Sequence, residues 1–358
     1  MPDESNPVRA ADNLLLNCAE LNAGDSLLIV REDPRLGWYD AAVNDLITRA
    51  AIALGIKVEH LEVAAPQNIR NSEVAAAMRH HDCTLFLARI GDQDRFAIPV
   101  PGKKIVMCYI RTPTMLGSAF GQVSYAATLE MKQSLDALIR RARRVEISCP
   151  LGTECSYSHR PPEATALSDV SVLRFPLGVV TPIDATSAKG RVALSGYLTP
   201  TGSRVYQPPN LAIDVPVFAN IQAGRIIEFE GPTGMVAAIE QHYANIAEQF
   251  AIDAKVVHSW HAGLHPGLSY DQSAAEDPDR WSNTVFNHPR VLHFHTCGNY
   301  APGEICWIIK DPTVMLDNKP LWRDGLLQVL DFSETAECLE KWPELEQIYA
   351  EPSNQTGF

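Results

Sequence analysis

The first 145 residues alternate short apolar runs with amphipathic helical stretches, and this alternation narrows the possible folds more than any other feature of the chain. "DSLLIVR" (25–31) reads as a buried strand, followed by "WYDAAVNDLITRAAIALG", an amphipathic helix closed by Gly55. "KVEHLEV", "CTLFLAR" and "KKIVMCYI" are three further strand-length runs, with the Ala-rich helical stretch "SEVAAAMRHH" among them. "YAATLEMKQSLDALIRRARR" is another helix, with basic residues in its last turn, where the helix dipole favours them. Strands that alternate with helices at this spacing imply a parallel sheet covered on both faces. There is no GxGxxG and no GxxxxGK[ST], so this fold reading brings no nucleotide with it.

From about Val145 the texture changes to short strands with Gly and Pro between them. "VALSGYLTPTGSRVYQPP" has a hairpin-like turn at "TPTGS", and "DVPVFANIQAGRIIEFEG" reads as two alternating strands joined by Ala223-Gly224. "GMVAAIEQHYANIAEQF" (234–250) has helical spacing, and the strand "AKVVHSW" follows. The polar "DQSAAEDPDRW" reads as an exposed loop, "RVLHFHTCG" as a strand and "EICWIIKD" as an edge-like strand. The expected organisation is an α/β N-terminal domain over 1–145, an α+β C-terminal domain over 146–350, and a disordered tail over 351–358.

Apolar residues make up 46% and charged residues 20% of the 358, the composition of a globular chain. No run approaches the roughly 18 consecutive apolar residues of a membrane span. "MPDESNPVRAADN" lacks the basic start and apolar stretch of a secretory signal, so a cytoplasmic location without membrane attachment is expected. A formal net charge of −13 repels phosphate backbones and argues against nucleic acid as a partner. The eight cysteines show no CxxC spacing and read as reduced thiols, most of them small buried hydrophobes.

The chemistry concentrates in the histidines. Six of the eleven (His258, His261, His265, His288, His293 and His295) fall within "VVHSWHAGLHPG", "VLHFHTCGNY" and the residues between them. Alternate residues of a strand share a face about 7 Å apart, so His293 and His295 can point the same way, as two ligands of one metal would. His258 and His261 lie where a strand gives way to a Gly-containing loop, and Glu304 and Cys306 are again two apart on the next strand. Three imidazoles with a carboxylate or thiolate suffice for zinc, iron or copper. The competing reading is a buried, hydrogen-bonded polar network without metal, since no HExxH spacing is present and His265 and His288 precede prolines in loops. Glu154 and Cys155 beside "GTECSYSH" are weak candidates for Cys–His nucleophilic catalysis, Tyr157, His159 and Arg160 read as lining a cleft or, in the competing account, as a turn, and no GxSxG elbow supports a serine triad.

Five stretches in order carry a resemblance. "NCAELNAGDSLLIVREDP", "GTECSYSHRP", "GYLTPTGSRVYQPP", "VPVFANIQAGRIIEFEG" and "HSWHAGLHPG" resemble successive segments of the aminopeptidase T metallopeptidases and their relative 2,5-dihydroxypyridine dioxygenase. The resemblance runs along nearly the whole chain. It implies an α/β domain followed by an α+β domain, and a homodimer whose site faces an internal cavity. The usual metal ligands are not retained. Arg204 falls near the family's ligand glutamate, Ser259 where the peptidases have Glu, and Phe294 where they have His. The family's His-x-Asp pair lines up with Glu304-Ile305-Cys306, or in a competing register with Ile305-Cys306-Trp307.

Two functional readings follow. In the first, His258, His261, His293, His295 and Cys306 supply the ligands of one divalent transition metal, iron or zinc, with Glu304 and His261 catalytic. The chain is then a hydrolase or ring-cleaving dioxygenase acting on a small molecule or peptide. In the second, the chain is a metal-free relative that presents its ligand to a partner enzyme, with Tyr157, Arg204, Tyr206, Trp260, Tyr270 and Trp307 as the contacts.

Overall fold

The computed structural model describes residues 6–66, 71–92, 101–158, 170–201, 206–298 and 304–358. The chain divides into two compact units: Met1–Glu130 with Asp169–Gly178 and Gly267–Ser269, and Met131–Ser168 with Val179–Pro266 and Tyr270–Phe358.

The first unit opens with α1 (Pro7–Asp12) and a π-helical turn, Asn13–Cys18, neither of which was expected from the sequence. Then come β1 (Ser26–Glu32), α2 (Ala41–Ala53), β2 (Lys57–Val63), α3 (Asn71–Met78), β3 (Cys83–Leu87) and β4 (Lys104–Cys108). Two short helices follow, α4 (Pro113–Leu116) and α5 (Ala119–Gln122), and then α6 (Tyr125–Arg141), whose residues from Met131 onward belong to the second unit. All strand pairings are parallel, in the order β2-β1-β3-β4-β7, where β7 is Leu173–Phe175. Leu27 and Ile29 of β1 pack with Val43 and Ile47 of α2, while Leu28 and Val30 pack with Val74 of α3, Phe86 and Met107. The period-two alternation of β1 thus feeds two cores, which is why it reads as a continuous apolar run. Each such side chain contributes about 1.5–3 kcal/mol on burial.

The second unit is built on a sheet of mostly antiparallel strands. Its strands are β5 (Arg144–Ser148), β6 (Glu154–Ser158), β8 (Ile183–Asp184), β9 (Lys189–Pro200), β10 (Leu211–Gln222), β11 (Arg225–Glu230), β12 (Val257–Ala262), β13 (Val291–Thr296), β14 (Ile305–Lys310), β15 (Thr313–Leu316), β16 (Lys319–Arg323) and β17 (Leu326–Leu327). The order is β17-β16-β15-β5-β6-β9-β14-β13-β12-β8, with β10 and β11 branching from β9. Helices α7 (Thr233–Phe250), α8 (Pro278–Val285), α9 (Ser333–Lys341) and α10 (Pro343–Ala350) complete it. Ala223 (φ 48°) and Gly224 (φ 65°) form the tight turn between β10 and β11 expected from the sequence. Gly224 is required there twice over, because a Cβ would stand 2.5 Å from Thr186 Cα. The hairpin turn expected at "TPTGS" falls partly on residues 202–205, outside the described residues, although β9 and β10 do pair antiparallel.

Three expectations for this half are corrected. β14 is an interior strand between β13 and β9, not an edge, because both of its sides carry ladder hydrogen bonds. Residues 278–281 of the segment read as an exposed loop open α8 (Pro278–Val285), with Arg280 and Trp281 buried; Asp277 caps it by accepting from Arg280 N, and Pro278 occupies its first turn. The tail is ordered: Tyr270 N donates to Gln355 O at 2.8 Å, and Trp281 Nε1 donates to Thr356 O at 2.7 Å. All eight cysteines are free thiols, seven of them buried. Among the described residues no helix is long and apolar enough to cross a membrane.

Candidate metal centre

Strand register decides which histidines can meet. In the antiparallel pair β12–β13, His261 stands opposite His293 and Ser259 opposite His295; across β13–β14, His295 stands opposite Cys306. Opposite residues share a face, so His261, His293 and His295 project from one side of the sheet. Their rings cluster there, with centroids 4.8 to 5.1 Å apart and the His261 and His293 planes within 4° of parallel. One ligand nitrogen from each lies within 4.8 Å of the other two, and all three side chains are buried. Nitrogens sharing one ion at about 2.0–2.1 Å stand roughly 3.3 Å apart in a tetrahedral shell, so side-chain rotations of about an ångström bring the set to bonding distance.

Hydrogen bonding fixes the tautomer of His261. His261 Nδ1 lies 3.2 Å from Val180 O, and a carbonyl can only accept, so this nitrogen carries the proton and Nε2 keeps its lone pair. His295 Nδ1 faces Glu304 Oε1 at 3.4 Å, while its buried Nε2 has no hydrogen-bond partner among the described residues. An imidazole Nδ1–H held by a carbonyl, as in His261, is an arrangement that orients metal-ligating histidines, and at His295 a carboxylate oxygen stands beside Nδ1. The His293 ring stacks on Phe286, with ring centres 3.8 Å apart and planes 17° from parallel.

Glu304 is fixed from several sides. It is 1% exposed, adopts φ 63°, accepts from Thr201 Oγ1 through Oε2, and its backbone N–H donates to Cys297 O at 2.9 Å. The Tyr206 hydroxyl donates to Glu304 O at 2.9 Å. A non-glycine residue at positive φ costs of order 1 kcal/mol or more, and here the surrounding bonds hold that conformation in place.

The remaining site candidates fall elsewhere. His258 occupies the irregular step in the β12–β13 ladder between Val257 and Ser259, and its Nδ1 lies 3.0 Å from Ser259 Oγ rather than in the three-nitrogen group. Burial, followed by the neighbouring His295, lowers its pKa. Cys306 packs with Phe286, Val291 and Ile308 in an apolar cluster, again outside that group. Trp260, Phe294 and Trp307 are aligned across the three strands on the opposite face, because each is one residue out of phase with the histidines. There Trp260 Nε1 donates to the Tyr157 hydroxyl at 2.9 Å and Trp307 Nε1 to the Tyr243 hydroxyl at 2.6 Å. Tyr157, Trp260 and Trp307, expected as ligand contacts, thus have their polar tips hydrogen-bonded to one another or to Tyr243, with both indoles on the face away from the three histidines. Tyr270 belongs to the apolar cluster around Trp281, and Tyr206 packs edge-on against His242 and Phe250. Arg204, His159 and Arg160 lie outside the described residues. Phe286 and the Val180 carbonyl were missed by sequence reasoning; the first was legible from the Asp-Pro capping signature of α8, the second only from the fold.

No protein-family model matches the sequence, and no curated protein matches it by sequence. Among solved structures, the chain is similar to 2,5-dihydroxypyridine dioxygenase from Pseudomonas putida, at 14% identity and a TM-score of 0.61 over 92% of this chain and 98% of that one. It is also similar to wild-type AmpT from Thermus thermophilus, at 12% identity and a TM-score of 0.52 over 90% and 98%. Likeness at these identities shows the fold, and the fold is the aminopeptidase T-like one that the order of sequence segments implied.

Proposed function

We propose that the chain is a metal-dependent enzyme whose metal is held by His261, His293 and His295, acting on a small molecule or peptide as a hydrolase or ring-cleaving dioxygenase. One observation carries this reading: three buried imidazoles converge within 4.8 Å, and His261 has its Nδ1 committed to the Val180 carbonyl so that its Nε2 is left for a ligand. Three neutral nitrogens suit zinc or iron(II), and a bound ion would polarise a carbonyl or support oxygen chemistry.

The protein's own groups divide the remaining work. Glu304 acts as a positioning residue: its Oε1 stands 3.4 Å from His295 Nδ1 and places a negative charge beside the imidazole cluster. The Val180 carbonyl holds the Nδ1 proton of His261, and the Phe286 ring sets the plane of His293. Ser259, opposite His295 and within 3.0 Å of His258 Nδ1, offers a hydroxyl whose proton His258 can exchange. The fold shared with a dioxygenase and with AmpT supports a metalloenzyme reading of this cluster and leaves both reaction types in play. The resemblance adds a homodimer to the proposal, which light scattering tests.

Elemental analysis of tag-free protein is the direct test. About one transition-metal ion per chain is expected, lost in both His293→Ala and His295→Ala. Metal-free wild-type protein whose melting temperature is indifferent to chelator would sink the reading.

A further inference from the structure

Arg111 in the first unit is 1% exposed, yet its Nε and Nη1 are buried with no hydrogen-bond partner among the described residues. A guanidinium stays protonated in any protein environment, so this residue cannot relieve its burial by losing a proton. Aromatic rings surround it: Cζ is 4.5 Å from the ring centre of Tyr39, 5.2 Å from Trp38 and 5.7 Å from Tyr109. Attraction to ring faces offsets part of the desolvation cost but leaves the Nε and Nη1 donors without acceptors among the described residues.

The nearby carboxylates are engaged with other partners. Glu32 accepts from Arg89 Nε at 3.0 and 3.1 Å and pairs with Arg89 Nη2 at 2.9 Å, while Asp92 Oδ1 accepts from the Tyr109 hydroxyl at 3.0 Å. Position in the fold is a second, independent pointer. The chain goes from β1 to β2 on one side and then returns to β3 on the other, so connections reverse direction at β1/β3. Trp38 and Tyr39 follow β1, Arg89 and Asp92 follow β3, and Tyr109 and Arg111 follow β4, all beyond the carboxyl ends of the strands. Open parallel sheets bind their ligands at that edge, beside such a reversal.

We propose that Arg111 anchors a second binding site, for small molecules that present carboxylate or phosphate oxygens to its unmet donors. Every residue in it belongs to the first unit, so it stands or falls separately from the metal centre.

The test titrates the full-length protein with sodium benzoate and with sodium phosphate, against sodium chloride at matched ionic strength, reading melting temperature and tryptophan fluorescence. At least one of the two anions is expected to give a saturable rise in melting temperature and a fluorescence change, and the better one identifies the anionic group. Arg111→Gln should weaken that binding by about tenfold or more, since charge-assisted hydrogen bonds are lost. Trp38→Phe should remove the fluorescence change. No saturable response to either anion in the wild type, or unchanged affinity in Arg111→Gln, overturns the proposal. If Arg111→Gln does not fold, the other two proteins decide: a saturable signal lost in Trp38→Phe supports the site, and one that persists at full amplitude overturns it.

Discussion

His293, Phe294 and His295 show how finely the site depends on single positions. Three consecutive residues of one strand alternate between the ligand-facing side and the packed side, so a one-residue slip would exchange imidazoles for a phenyl ring. The resemblance set Phe294 against a ligand histidine; the structure turns Phe294 away and directs both flanking histidines inward. Glu304 matters at the same scale, because one of its oxygens faces His295 and the other accepts from Thr201. Glu304→Gln keeps the shape but removes the charge. We expect metal affinity to fall about 10–100-fold, measured by competition with a chromogenic chelator, with the fold retained by circular dichroism. Unchanged affinity would remove Glu304 from the site. His258→Ala, by contrast, should keep its metal, since His258 engages Ser259 outside the three-nitrogen group.

The elements around the cluster are held together by close backbone approach. Gly263, just after β12, donates to Val291 O at 3.0 Å, and its carbonyl accepts from Trp322 Nε1 at 3.1 Å. A Cβ there would lie 2.1 Å from His288 O and 2.3 Å from His288 C, both backbone atoms that cannot rotate aside. Gly263→Ala is therefore expected to destabilise the protein by about 2 kcal/mol or more, read as a lower urea midpoint; an unchanged midpoint would mean that the segment carrying His288 moves freely. α8 contributes in a different way: its cap at Asp277 fixes where the helix starts, and Phe286 at its end stacks on His293. The polar sequence of α8 reads as a loop because its apolar residues are few. Its burial follows from neighbours distant in sequence, including the C-terminal segment that covers Trp281.

At the scale of the molecule, three histidines outside the metal centre set the response to acid. Burial lowers the pKa of His242 and His288 to about 4 and that of His265 to about 3. Each is neutral when folded but takes up a proton near pH 6.5 once unfolded, so the unfolded state binds more protons between those values. Stability is thus fully present above about pH 6.5 and falls as the pH drops towards 4, by up to about 1.4 kcal/mol per pH unit for each histidine. His288 has a structural reason as well: its Nδ1 accepts from Arg290 N at 3.1 Å, and a proton on that nitrogen would abolish the bond. Urea midpoints measured from pH 7.5 to 4.5 should decline steadily below about 6.5 and shift upward in the acid range relative to neutral pH for His265→Phe; a flat profile would contradict the burial of these rings.

Sequence by itself determined the alternation of β1 to β4 with α2 and α3, the tight turn at Ala223-Gly224 and the phase of His293 and His295, because each depends on neighbours two to four residues away. Only tertiary structure decided which imidazoles converge, since that requires the register of β12 against β13 and the approach of Val180 and Glu304 from elsewhere in the chain. The same holds for the docked C-terminus, the interior place of β14 and the turning of Trp260 and Trp307 away from the histidines. Local sequence encodes periodicity and turn chemistry, while partnership between distant segments arises only when the sheet closes and their surfaces are buried together.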